Sequence, residues 1–152
     1  MSVLQVITVP NPLLKQVTVD VNTFDEKLQQ LVFDMFETMA HYQGVGLAAP
    51  QVGILQSLVV IMFEKKELIL INPEIIFTDG QCVDEEGCLS IPGLRRQVER
   101  AENIIVNAFD VVGNPIQIKE EGFMARIILH EIDHLRGILI TDKKEILSEG
   151  SE

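Results

Sequence analysis

The stretch His130-Glu131-Ile132-Asp133-His134 has the pattern H-E-x-x-H, and it limits the fold more than any other segment. Two histidines four residues apart lie on one face of an α-helix, one turn above each other, so a helix must run here if both imidazoles are to hold one ion. The spacing Phe123, Ile127, His130, His134 continues an apolar stripe, which turns the histidines inward, away from a charged face carrying Asp133 and Arg136. The expected helix runs from about Gly122 to Arg136. The competing reading makes His130 and His134 core histidines and Glu131 a surface residue. His41, the remaining histidine, has no such partner and reads as surface or packing.

A catalytic site of this kind needs a third protein ligand and an open position for water. Cys88 is the best candidate, because Gly87 permits close backbone approach and Leu89 offers an amide beside the metal. Cys82 reads as a plain thiol, and no secretory segment suggests a disulfide between the two. With three ligands and a bound water, the ion would bring the water's pKa toward neutrality while Glu131 accepts and returns the proton, which points to amide hydrolysis. A closed structural site would need a fourth protein ligand, and no well-spaced cysteine or histidine supplies one.

Around this helix the chain reads as strands in the middle and a helix near each end. Prolines at 10 and 12 forbid a long helix at the start, so residues from Val3 onward should form an extended, packed arm. Thr23-Phe24-Asp25-Glu26 looks like a capping box, with Thr23 as the cap, before apolar Leu28, Leu31, Val32, Met35, Phe36 and Met39; an amphipathic helix should end near Gln43-Gly44. Ser57 to Phe63, Leu68 to Ile71 and Asn103 to Phe109 read as strands, and Gly113-Asn114-Pro115 as a turn joining Val111-Val112 to Ile116-Gln117-Ile118. The expected class is α+β: largely antiparallel sheets packed around the central metal-binding helix, with a second amphipathic helix near the N-terminus. Residues 1–152 are expected to form a single catalytic domain with a polar tail from about Asp142.

Gly44-Val45-Gly46-Leu47-Ala48-Ala49-Pro50-Gln51 contains G-x-G-x-x-A, but it follows a helix rather than a strand, and Pro50 disfavours helix where a dinucleotide fingerprint would open one. A strand or loop lying against a ligand fits better. Gln51 then reads either as a donor to a developing oxyanion or as an ordinary loop glutamine, with equal support.

A net charge of −11 excludes a general affinity for nucleic acid or anionic lipid. No apolar run approaches the roughly 18–20 residues that cross a bilayer, and no signal core is visible, so the expected location is the cytoplasm, or an organelle after processing.

Three segments together resemble peptide deformylases: Gly44 to Gln51 their glycine-rich motif, Glu86 to Ser90 their E-G-C-L-S motif, and His130 to His134 their H-E-x-D-H motif. The similarity of pattern runs from Val3 to about Asp142. It implies a hydrolase that removes the N-formyl group from the initiator methionine of nascent polypeptides, releasing formate. The implied cofactor is one divalent metal, Fe²⁺ in the cell, with Zn²⁺, Ni²⁺ or Co²⁺ as substitutes. The implied ligands are Cys88, His130 and His134, with Glu131 as acid/base and Gln51 with the Leu89 amide as oxyanion donors. Val45, Gly46, Glu86, Gly87 and Arg95 would hold the peptide backbone, with Arg96 as the other candidate for that arginine. Phe123, Ile127 and His130 would border the methionine pocket, and Arg100 with Asp133 would support the metal helix.

Two positions depart from the pattern. Leu129 stands where the family commonly has glutamine, and the tail from Lys143 lacks the long basic helix through which many bacterial members would contact the ribosome. Two other functions fit parts of the sequence: a zinc endopeptidase, which would need a third ligand downstream of His134, and a non-catalytic metal-binding protein on the same fold.

Overall fold

The computed structural model describes residues 2–146, and these form two antiparallel sheets and two long helices. The larger sheet contains β1 (Gly46–Ala48), β2 (Leu58–Phe63), β3 (Lys66–Asp79), β6 (Asn103–Phe109) and β7 (Pro115–Glu121), in spatial order β1-β2-β3-β6-β7. The smaller sheet is the hairpin of β4 (Cys82–Cys88) and β5 (Ile91–Arg100). Helix α1 (Glu26–His41) covers one part of the larger sheet through Val32, Met35 and Met39, which pack with Leu47, Leu58 and Val60. Helix α2 (Gly122–Leu135) lies between the two sheets, and every residue from Met124 to Leu135 is buried. A helix enclosed on all sides carries an apolar sequence, and its few polar residues must find partners inside.

Several elements differ from the sequence expectations. Asp25, not Thr23, caps α1, its carboxylate accepting the Leu28 amide at 3.0 Å. Val111 and Val112 belong to the turn rather than to a strand, because the Asp110 side chain accepts the amides of Val112 and Asn114 and closes the loop before β7. Strand β3 is far longer than Leu68 to Ile71. It passes through Asn72, at φ +52°, whose side-chain amide pairs with both backbone groups of Val21, and register shifts between Ile71 and Glu74 and between Ile75 and Phe77 bend the strand. Asp133 is buried rather than part of a wet face. The expected polar tail is described only as far as residue 146; residues 147–152 lie outside the described part.

The N-terminal arm is extended and packed, as expected. The Ile7 amide bonds the Gln51 carbonyl at 2.8 Å and the Val9 amide the Ser90 carbonyl at 2.9 Å. The arm thereby fastens the segment after β1 to the turn after β4. Those two segments carry most of the site.

Candidate active site

The three expected ligands meet. The donor atoms of Cys88, His130 and His134 all lie within 4.8 Å of one another, with Cys88 Sγ 3.4 Å from His134 Nε2. A tetrahedral ion with bonds of about 2.3 Å to sulfur and about 2.0 Å to nitrogen sets those atoms about 3.5 Å apart, so the spacing fits a metal. The histidines come from successive turns of α2, and Cys88 ends β4, where a register shift between Gly87 and Cys88 turns the strand toward the helix.

Tautomers follow from the partners. His130 Nδ1 lies 2.8 Å from Glu86 Oε1 and donates to it, which leaves Nε2 for an ion. In the metal-free protein, burial disfavours a charged His130, but hydrogen bonding to Cys88 and Glu86 and the charge of Glu131 outweigh it and push its pKa up to about 10. An entering ion must displace that proton. Burial, with the positive fields of His130 and Arg100, keeps His134 neutral, the form that ligates.

Behind His130 lies a closed set of charges. Arg100 forks onto Glu86, with Nε and Nη2 at 2.8 and 2.9 Å, and reaches Asp133 Oδ2 through Nη1 at 2.6 Å. Arg126 donates to Glu86 at 2.6 Å and to the carbonyls of Val98 and Cys82. Burial alone would raise the Glu86 pKa, but the Arg100 and His130 hydrogen bonds hold it well below the usual carboxylate range. The Glu86 carboxylate is fully engaged in this set, so its backbone is what remains to touch a peptide. Arg126 was not singled out in the sequence, although an arginine inside the apolar run Met124 to Leu129 signals a buried partner.

Glu131 contrasts with Glu86. It is 5% exposed, its Oε1 has no hydrogen-bond partner among the described residues, and burial pushes its pKa up to about 7. Its Oε2 lies where a side chain at Gly46 would be: a Cβ built there would come within 2.7 Å of it. Gly46 is therefore required for β1 to pass beside this carboxylate.

Gln51 is buried in a short helical turn after β1. Its Oε1 must face the Ala48 amide, a donor at 2.9 Å, so Nε2 points to Ser90 Oγ at 3.2 Å and toward Cys88 Sγ at 3.7 Å. The Gln51 side-chain N–H is thereby fixed beside the Cys88 sulfur. Leu89 occupies the turn next to Cys88, with its side chain against Gly44.

A cleft of about 770 Å³ opens onto these groups, lined among others by Val45, Gly46, Gln51, Gly87, Leu89 and Arg95. Phe123 and Ile127 line it too; Phe123 sits at the rim, its ring 5.1 Å from that of Phe63, while Ile127 is buried. Arg95, not Arg96, faces the cleft, paired with Glu85 at 2.7 Å; Arg96 turns to the Lys143 carbonyl. Leu129 is part of the apolar core and Cys82 is exposed, so neither enters the site. No described helix is long and apolar enough to cross a membrane.

A family-wide sequence profile described as polypeptide deformylase matches residues 3–149. The peptide deformylase of Dictyoglomus turgidum is 45% identical over 141 residues, covering 93% of this chain and 92% of that protein. Peptide deformylase 1 of Clostridium acetobutylicum is 50% identical over 131 residues, 86% of this chain and 87% of that one. The crystal structure of the Thermotoga maritima peptide deformylase superposes with a TM-score of 0.92 at 40% identity, covering 94% of this chain and 98% of that one.

Proposed function

The chain belongs to the polypeptide deformylase family, enzymes that remove the N-formyl group from nascent polypeptides, and from that premise we infer that its cleft performs this hydrolysis with Glu131 as proton carrier. The observation that carries the reading is the meeting of three ligand atoms within 4.8 Å beside a buried carboxylate with an oxygen unpaired among the described residues.

Cys88, His130 and His134 would hold the ion. When bound, a divalent ion in this set supplies Lewis acidity, bringing a water's pKa toward neutrality and polarising a carbonyl. The residues do the rest. Ionised Glu131 takes a proton from the attacking water and returns it to the departing amine nitrogen, so water and formamide become formate and a free amino terminus. The Gln51 Nε2–H and the Leu89 amide donate to the oxygen that gains charge as the formyl carbon becomes tetrahedral.

β1 is an edge strand of its sheet, and β4 belongs to a hairpin with two edges, so an extended peptide can lie between them as an added strand. Val45, Gly46, Glu86 and Gly87 would hold its backbone, Arg95 would stand beside it, and Phe123 with Ile127 would border its methionine side chain. Fe²⁺ is the native ion in this reading, with Zn²⁺, Ni²⁺ or Co²⁺ as substitutes that a cysteine and two histidines also accept. The proposed setting is the cytoplasm, or an organelle after processing, with residues 1–152 as one catalytic domain.

The endopeptidase alternative expected a third ligand downstream of His134; the converging third ligand, Cys88, lies upstream. The test is formate release from an N-formyl-methionyl peptide by protein prepared anaerobically with Fe²⁺, alongside an unformylated peptide watched for internal cleavage. Formate from the first and no fragments from the second is the expected result. Internal cleavage without formate would replace this reading with the endopeptidase one.

A further inference from the structure

After α2 the chain turns at Gly137, passes through buried Leu139 and Ile140, and makes a short helical turn at Ile140–Asp142 before Lys143. This return segment is firmly held. The Asp142 carboxylate accepts the Leu139 amide and pairs with Lys15, and Leu139 and Ile140 pack against Leu14, Ile91 and Val98. The backbone of Lys143 is fixed on both sides, its N–H bonding the Ile140 carbonyl at 3.2 Å and its C=O accepting from Arg96 Nη2 at 3.0 Å.

From that anchored backbone Lys143 Nζ reaches Asp133 Oδ2 at 3.0 Å, the same oxygen that Arg100 holds at 2.6 Å. The lysine side chain is 32% exposed, against 50%, 55% and 63% for the cations of the pairs at Lys15, Lys66 and Arg95, and its partner is only 11% exposed. A pair with one buried partner and a fixed backbone loses less entropy and is screened less than an ordinary surface pair.

We propose that Lys143 is a positioning residue for the metal: by neutralising Asp133 it leaves Arg100 free to hold Glu86, which in turn fixes the tautomer and orientation of His130. The chain of contacts is continuous, Lys143 to Asp133 to Arg100 to Glu86 to His130, each link 3.0 Å or shorter. Arg100 is shared between two carboxylates. Without Lys143, Asp133 has Arg100 as its one remaining cation among the described residues and draws it from Glu86, so the His130 ring is held less well. The segment after the metal helix thereby becomes part of the metal site's support. This rests on the ligand set proposed above.

The test compares Lys143→Gln and Lys143→Arg with the unaltered chain for Co²⁺ affinity, measured by chelator competition from the visible absorption of the bound ion, together with metal-free melting temperatures. The Gln variant is expected to bind Co²⁺ roughly three- to tenfold more weakly, less than the 10–100-fold typical when a direct partner of a ligand is lost, with Arg restoring most of the affinity. Metal-free melting should change by about 4 °C or less. Unchanged Co²⁺ affinity in Lys143→Gln, with or without a melting shift, would overturn the proposal, as would an Arg variant as weak as Gln. If the unaltered chain binds no Co²⁺, the ligand set itself fails and this proposal falls with it.

Discussion

Glu86 and Glu131 are both buried carboxylates within reach of His130, yet the regions around them are built oppositely. Behind His130, Glu86 receives Arg100, Arg126 and His130, and its pKa is held far down. In front of the histidines, Glu131 has an oxygen with no partner among the described residues, and its pKa is pushed up to about 7. A group that must hold a ligand still gains from every hydrogen bond it accepts. A group that must carry a proton needs a free oxygen and a pKa near the working pH. In the proposed mechanism the back of the site supplies position, and the front supplies reactivity.

Emptying the back should have the largest effect. Glu86→Ala leaves Arg100 and Arg126 buried without their main anion, a loss of about 3–5 kcal/mol of stability by denaturant unfolding. The same change should weaken metal binding roughly 10–100-fold, measured by chelator competition. An unchanged midpoint would mean that the charges behind His130 do not hold the fold.

Filling the front should affect turnover and not the fold or the metal. Gly46→Ala puts a methyl group within 2.7 Å of Glu131 Oε2, so the carboxylate must move. The expected cost is roughly ten- to a hundredfold in kcat with metal content intact, by steady-state kinetics and metal analysis. Full activity would show that the position of Glu131 is not critical.

The smallest effect should come from a site remote from both regions. Asp25→Ala removes the cap of α1 and should lower stability by about 1 kcal/mol while kcat per folded molecule stays the same. A fall in kcat there would blur the separation between the site and its scaffold.

The same division decides what was legible in the sequence. His130, Glu131 and His134 declare themselves because one turn of helix sets their geometry, and Cys88 follows from its glycine neighbour and the need for a third ligand. Of the network behind them, the Arg100–Asp133 pair was expected from the family resemblance and forms, but the Glu86 carboxylate and Arg126, from β4 and α2, join it only through tertiary packing. The β4–β5 hairpin itself was unread. Its residues from Cys82 to Glu85 are exposed on both faces, two apolar-type residues followed by two acidic ones, so the alternation that marks a half-buried strand is missing. β1 was foreseen as a strand or loop against a ligand, but its need for glycine at 46 becomes visible only when Glu131 is seen beside it. The capping-box pattern put the cap at Thr23, whereas α1 starts two residues later and Asp25 caps it through the Leu28 amide.

The central claim is that position and proton transfer are separate jobs here, and Glu131→Gln tests it most directly. The variant keeps size and loses only the ability to take a proton, so bound metal per chain and formate release are measured on the same sample. Metal at the level of the unaltered protein with formate release reduced roughly 10²–10⁴-fold is the result predicted. Loss of metal along with activity would show that Glu131 supports the ion, and retained activity would show that it carries no proton; either would contradict the account.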